Sequence, residues 1–225
     1  MSNMSRPELV IVPTSFCISS MYDGQVKFLR ERGFSVHALD PPSFPARYKP
    51  EVPAPSMHDD ARFISDFVTK LADEGKDVVI LAHSYGGCPV SQAVEGLTKH
   101  ERATQGKYGG VVRIAYLTAI VPRLGASTLA TISASSEGKA PQVVTDQYGW
   151  MVQTDPEQTV KMVFNSLPLA EGIAWSAFFG RHAASAFVDP LTYPGYQNVS
   201  LALRPIVEGL MMLTSLLASH QLVLL

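Results

Sequence analysis

The sequence predicts an α/β fold, a mostly parallel sheet with helices on both faces. Three observations carry the prediction. Short apolar runs rich in branched residues alternate with stretches of helical periodicity as far as residue 120. The runs are continuously apolar, as strands covered on both faces are. One of them, DVVILAHS, ends on a serine and passes through YGG into a helical pattern, a strand–turn–helix.

ELVIV, residues 8–12, is the first buried strand, and PTSFC after it is a turn. Over residues 20–33, Met21, Val26, Phe28 and Leu29 fall near helical spacing, and Gly33 is placed to end that helix. FSVHALD, 34–40, is the second strand. The proline-rich stretch 41–55 is a loop. Ser56 opens the next helix, with Asp59 and Asp60 in the first turn, where the helix dipole favours negative charge. Phe63, Ile64, Phe67, Val68 and Leu71 give it an apolar face, and Gly75 stops it. DVVILAHS, 77–84, is the third strand, 88–99 a helix and GVVRIAYLTAI, 110–120, the fourth strand.

Beyond residue 122 the rhythm changes. The small, polar stretch 123–141 reads as loop, and DPEQTVKMVFNSL and AEGIAWSAFFGRHAASAF read as helices. The expected organisation is a core over 1–122, an all-helical lid over 123–190 and a C-terminal remnant of the core over 191–225. In the remnant, NVSLAL, 198–203, supplies a last strand. The final apolar stretch, 209–225, is shorter than the ~20 residues of a membrane span and is expected to be a buried helix.

Hydrophobic residues make up 46% of the 225 and charged residues 17%, enough for a large core and far from the composition of a disordered chain. A net charge of −2 carries neither a nucleic-acid footprint nor a polybasic membrane patch. The N-terminus lacks the apolar stretch of a secretory signal, and a cytoplasmic location is expected. Cys17 and Cys88 belong to no CxxC or metal-spaced cluster and are expected to be small buried thiols. Without a metal-ligand cluster or a glycine-rich phosphate loop, no metal and no cofactor is expected.

AHSYG fits the G-x-S-x-G pattern of a nucleophile elbow, with Ala82 in place of the first glycine. A sharp strand-to-helix turn needs small neighbours, and Ala82, Gly86 and Gly87 supply them. Such a turn lifts the Ser84 hydroxyl above the sheet edge and aims the N–H of Tyr85 into the same space, where an oxyanion would form. The second donor is expected from the loop after the first strand, with the N–H of Ser15 first and Phe16 next. His83, adjacent to Ser84, points to the opposite side of its strand and is expected to be a hydrogen-bonded core imidazole.

These pieces resemble the α/β-hydrolase superfamily, in particular its single-domain members related to methylesterases and hydroxynitrile lyases. The resemblance rests on ELVIVPTSF, MYDGQVKFLRERGFSVHALDPPS, DVVILAHSYGGCPVSQA, VVRIAYLTAIVP and FVDPLTYPGYQNVS, with AHSYGG the most specific. The first loop of that family usually reads His-Gly or Pro-Gly and is Pro13-Thr14 here; a threonine at that place resembles the lyase branch. The resemblance implies a hydrolase fold and a triad in the order serine, acid, histidine. Glu208 and His220 are the residues nearest those places. Only 22 residues follow residue 203, so the C-terminal part is expected to be incomplete or diverged from the family.

The expected activity is that of a serine hydrolase acting on a carboxylic ester, lactone or thioester of a small apolar molecule. Ser84, His220 and Glu208 form the expected triad, and Tyr85 and Ser15 the oxyanion hole. Trp150, Trp175, Phe178 and Phe179 of the lid read either as packing or as an apolar pocket wall. Two other functions fit the same residues: a catalytically impaired binding protein of this fold, or a cofactor-free lyase. No nucleic-acid or membrane partner is expected.

Overall fold

A computed structural model describes residues 6–47, 53–135 and 142–199, and the backbone alone of 201–204. In chain order the elements are β1 (Glu8–Val12), α1 (Asp23–Arg30), β2 (Val36–Ala38), α2 (Met57–Asp73), β3 (Asp77–His83), α3 (Gly87–Ala93), α4 (Lys99–Thr104), β4 (Gly110–Leu117), α5 (Thr128–Ser135), β5 (Val143–Thr145), β6 (Trp150–Gln153), α6 (Pro156–Val163), α7 (Leu169–Ser176), β7 (His182–Ala183) and β8 (Leu201–Arg204).

Five strands form a parallel sheet in the order β2-β1-β3-β4-β8. Its two faces follow from the alternation along β1. Val10 and Val12 pack with Met57, Ile64 and Val68 of α2 and Val90 of α3. Leu9 and Ile11 pack on the opposite side with Val26 and Leu29 of α1. Helices therefore cover both faces, as a sheet of continuously apolar strands requires. From β1 the chain moves outward to β2, then returns past β1 to β3. The connections leaving β1 and β3 diverge, which opens a crevice at the carboxyl ends of these two strands.

Several elements depart from the sequence expectation. The second strand narrows to Val36–Ala38. The helix expected over 88–99 ends at Ala93, and Gly96 turns the chain with φ +70°. Thr98 and Glu101 then form a reciprocal cap that starts α4. The stretch read as loop contains α5, where Ser127 Oγ accepts the N–H of Ala130 at 3.1 Å.

The expectation of an all-helical insertion is wrong. Between β4 and β8 the chain also builds an antiparallel sheet, β5-β6-β7. Asp146 makes its first turn by accepting the N–H groups of Tyr148 and Trp150 at 2.9 and 3.0 Å, and Gly149 supplies φ +86°. The second expected helix stops at Ser176, after which Gly180 donates its N–H to the Phe16 carbonyl at 2.7 Å and β7 follows. Among the described residues, no helix is long and apolar enough to cross a membrane.

Candidate active site

Ser84 follows β3 directly and opens the turn into α3. Its φ is +51°, in the left-handed region that a non-glycine residue seldom occupies. Its carbonyl accepts the N–H of Ile120 at 2.8 Å, which pins the turn to the end of β4. A Cβ on Gly86 would lie 2.8 Å from the Val12 carbonyl oxygen, and one on Gly87 would lie 2.5 Å from that of Ile120. The turn is therefore wedged between the ends of β1 and β4, and only glycine fits at either position. Ser84 is half-buried, while Tyr85, Gly86 and Gly87 are buried.

The three non-glycine residues with positive φ among the described ones are Phe16 (+64°), Ser84 (+51°) and Thr118 (+43°). They follow β1, β3 and β4, three adjacent strands, so the backbone strain collects at one sheet edge, as it does at functional sites. Val12 pairs with Ala82 and His83 with Leu117, which sets the three following loops level with one another.

Tyr85 lies in the first turn after β3, where backbone N–H groups have no earlier carbonyl of the helix to bond. Across from it, Thr14–Cys17 form a tight turn closed by the Cys17 N–H on the Thr14 carbonyl at 3.2 Å. The N–H groups of Ser15 and Phe16 donate no hydrogen bond within the described residues. The loops after β1 and β3 thus place these N–H groups and that of Tyr85 at the same edge of the sheet.

Tyr22 braces the site from below. Its buried hydroxyl accepts the Thr14 N–H at 3.0 Å and shares a hydrogen bond with Nδ1 of His83 at 2.6 Å. Burial lowers the His83 pKa to about 4, so the ring is neutral. His83 is the hydrogen-bonded core imidazole expected from the sequence.

A second polar chain lies behind Tyr85. The Tyr85 hydroxyl donates to Oδ2 of Asp60 at 2.7 Å, and the Ser43 N–H donates to Oδ1 at 2.8 Å. The Ser43 hydroxyl donates to Oδ2 and accepts from Nε2 of His182, 3.0 Å away. All four side chains are buried. Burial raises the Asp60 pKa to about 6 and lowers that of His182 to about 3. Among the described residues Nδ1 of His182 has no hydrogen-bond partner, and the imidazole packs against the rings of Phe16, Phe44 and Phe187.

Asp60 lies in the first turn of α2, as the sequence predicts, but its carboxylate is buried rather than solvated. Asp59 makes the cap with Ser56, and Asp60 is turned inward. The signal was present, because Asp60 shares the buried stripe of Met57, Ala61, Ile64 and Val68. Tyr22 and Ser43 carried no comparable signal.

His220 and Glu208 lie outside the described residues. Among the described ones, no imidazole or carboxylate hydrogen-bonds to the Ser84 hydroxyl. Asp155 caps α6, Asp189 accepts the Met57 N–H at 3.0 Å at the start of α2, and Asp146 holds its turn and Arg181. Cys17 and Cys88 are buried free thiols. No group of described residues could hold a metal ion.

A parallel sheet with a strained serine between strand and helix at its switch point defines the α/β-hydrolase class. The sequence matches the alpha/beta hydrolase family over residues 9–220, and the chain belongs to that family. It is 29% identical to a probable hydrolase of a Phoma species over 199 residues, 88% of this chain and 76% of the relative. An alpha/beta hydrolase of Aspergillus novofumigatus is 30% identical over 198 residues, 87% of this chain and 75% of the relative.

Solved structures agree on the fold. Tomato methylketone synthase I complexed with 2-tridecanone superposes with a TM-score of 0.65 at 17% identity, covering 89% of this chain and 78% of that one. The pyrethroid hydrolase PytH gives 0.62 at 16% identity, covering 92% and 80%.

Proposed function

We propose that this member of the family is a serine hydrolase that cleaves a carboxylic ester, lactone or thioester of a small apolar molecule. The single observation that carries the reading is Ser84 itself, strained at φ +51° on the β3–α3 turn, half-buried and free of side-chain partners among the described residues. A serine held in that conformation for packing alone would be better replaced by glycine.

In the proposed reaction Ser84 Oγ bonds to the substrate carbonyl carbon while its proton passes to a base. The carbonyl electron pair moves to oxygen, where the N–H groups of Tyr85 and Ser15 receive it. Collapse expels the alcohol or thiol, which takes up the proton. Water then repeats the sequence and releases the acid. His220 is the proposed base and Glu208 its orienting acid. Two of the described imidazoles are engaged elsewhere, His83 with Tyr22 and His182 with Ser43, which supports this choice. An apolar substrate is supported by the insertion, whose Val160, Phe164, Trp175 and Phe179 join Cys17 and Tyr22 in one cluster beside the first loop.

Incubation of the folded protein with a fluorophosphonate, followed by peptide mass spectrometry, tests the reading. The expected result is a phosphonyl adduct on Ser84, absent after heat denaturation and slower to form in His220→Ala. A folded protein that stays unlabelled at Ser84 overturns it. An unchanged rate in His220→Ala removes that residue as base.

A further inference from the structure

Ser43, Asp60 and His182 have the composition of a catalytic triad but not its wiring. In a triad the carboxylate orients the imidazole and the imidazole takes the serine proton. Here the Ser43 hydroxyl donates its hydrogen bond to the carboxylate, which leaves the imidazole to donate to Ser43. Ser43, Asp60 and His182 are each 0% exposed, so no substrate reaches them. A buried carboxylate costs stability unless its neighbours satisfy it, and the Asp60 carboxylate is met by the Ser43 N–H, the Ser43 hydroxyl and the Tyr85 hydroxyl, an arrangement that serves a use other than attack.

The chain ends at Tyr85, the residue whose N–H is proposed to hold the oxyanion. The Tyr85 ring is gripped at both ends. Its hydroxyl is on Asp60, and its faces and edges meet Phe44, His182 and Phe187 at centroid distances of 5.7, 4.5 and 5.3 Å. At the other end of the chain His182 belongs to β7, which pairs with β6 of the insertion, and the next residue donates its N–H to the Ser43 carbonyl at 2.8 Å. Four side chains therefore run from the insertion to the residue after the nucleophile.

We propose that Asp60 is a positioning residue for the reaction at Ser84: it fixes Tyr85 by the hydroxyl and, through Ser43 and His182, ties the oxyanion donor to the seat of the insertion. The inference rests on the proposed reading of Ser84 as nucleophile. Asp60 touches no reacting atom. It acts by holding the amide of Tyr85 where charge develops, and catalysis is steep in such placement.

The test compares wild type, Asp60→Asn, Tyr85→Phe, the double variant, His182→Gln and His182→Leu. Each is assayed for fluorophosphonate labelling of Ser84 and for turnover of a short p-nitrophenyl ester, well below its melting temperature. The expected loss in kcat and in labelling rate is roughly tenfold for Asp60→Asn and for Tyr85→Phe, with KM changed by less than about twofold. The double variant should lose no more than either single one, since both cut the same chain. Gln at 182 keeps an N–H for Ser43 and should retain the rate, whereas Leu should not.

Tyr85→Phe removes one oxygen from a packed ring, so it folds even if Asp60→Asn does not. A folded Tyr85→Phe with the wild-type rate overturns the inference, as do losses that multiply or that fall on KM alone. If wild type labels normally and these results appear, Ser84 stands as nucleophile without Asp60. A wild type that does not label overturns both.

Discussion

The hydroxyl of Tyr22 and Nδ1 of His83 share a hydrogen bond of 2.6 Å, joining the segment after β1 to the residue before Ser84. The same oxygen accepts the Thr14 N–H. One buried atom thus links the first loop to the nucleophile turn, and with it the two proposed sources of oxyanion donors.

Replacing Tyr22 by Phe keeps the ring and removes the link. It leaves the Thr14 N–H without its acceptor and Nδ1 of His83 without its partner. Each stranded group costs roughly 1–3 kcal/mol, so the variant should lose about 2–6 kcal/mol in urea unfolding. The loss should exceed that of Tyr108→Phe, whose ring is 87% exposed and whose hydroxyl change should fall within about 0.5 kcal/mol. Equal stability of the two variants would show that the Tyr22 bridge carries no energy.

The nucleophile turn predicts opposite signs at neighbouring positions. Gly87→Ala sets a methyl 2.5 Å from the Ile120 carbonyl and 2.9 Å from the Ala119 Cβ. Backbone must move to admit it, which should cost roughly 1–3 kcal/mol and displace Ser84.

Ser84→Gly does the reverse. The native φ of +51° costs serine roughly 1–2 kcal/mol that glycine does not bear, against roughly 0.5–1 kcal/mol of extra unfolded-state entropy. Stability should therefore hold or rise by up to about 1.5 kcal/mol, measured by the same urea unfolding, while fluorophosphonate labelling disappears. A clear loss of stability in Ser84→Gly would mean that the serine side chain serves packing.

Much of this fold was legible because its signals are local. The run ELVIV, the Ser56 cap and the glycines after Ser84 each fix a short piece of backbone. The β5-β6-β7 sheet was not, because its strands are two to four residues long and their pairing joins Trp150 to Ala183 across a long stretch of chain. Periodicity in a window cannot register such a contact. Ser84 and Tyr85 stood out as a motif, whereas Asp60 was hidden by a sufficient local explanation, the helix dipole. Its real partners, Ser43, Tyr85 and, through Ser43, His182, come from three other segments. The parity of its helical face was the one local clue, since a charge on a stripe of Met57, Ala61 and Ile64 has to be paid for by something polar across the interface.

The buried groups also set how stability depends on pH. Burial lowers His83 from 6.5 to about 4 and His182 to about 3. Both rings fold neutral, so their contribution is fully present above pH 6.5 and is lost as pH falls toward those values. Burial raises Asp60 from 3.8 to about 6, so its contribution runs the other way, greatest below 3.8 and lost as pH rises through 6. Each group contributes a slope of about 1.4 kcal/mol per pH unit inside its window. Between about pH 5 and 6, above the range of ordinary surface carboxylates, two histidines oppose one aspartate, and unfolding free energy should rise by about 1.4 kcal/mol per unit. Asp60→Asn removes the opposing group, and the slope should steepen to about 3 kcal/mol per unit. Urea titrations at several pH values across this window measure both slopes. An unchanged slope in Asp60→Asn would mean that Asp60 does not titrate there, and a flat wild type would mean that the two imidazoles are not held neutral by burial.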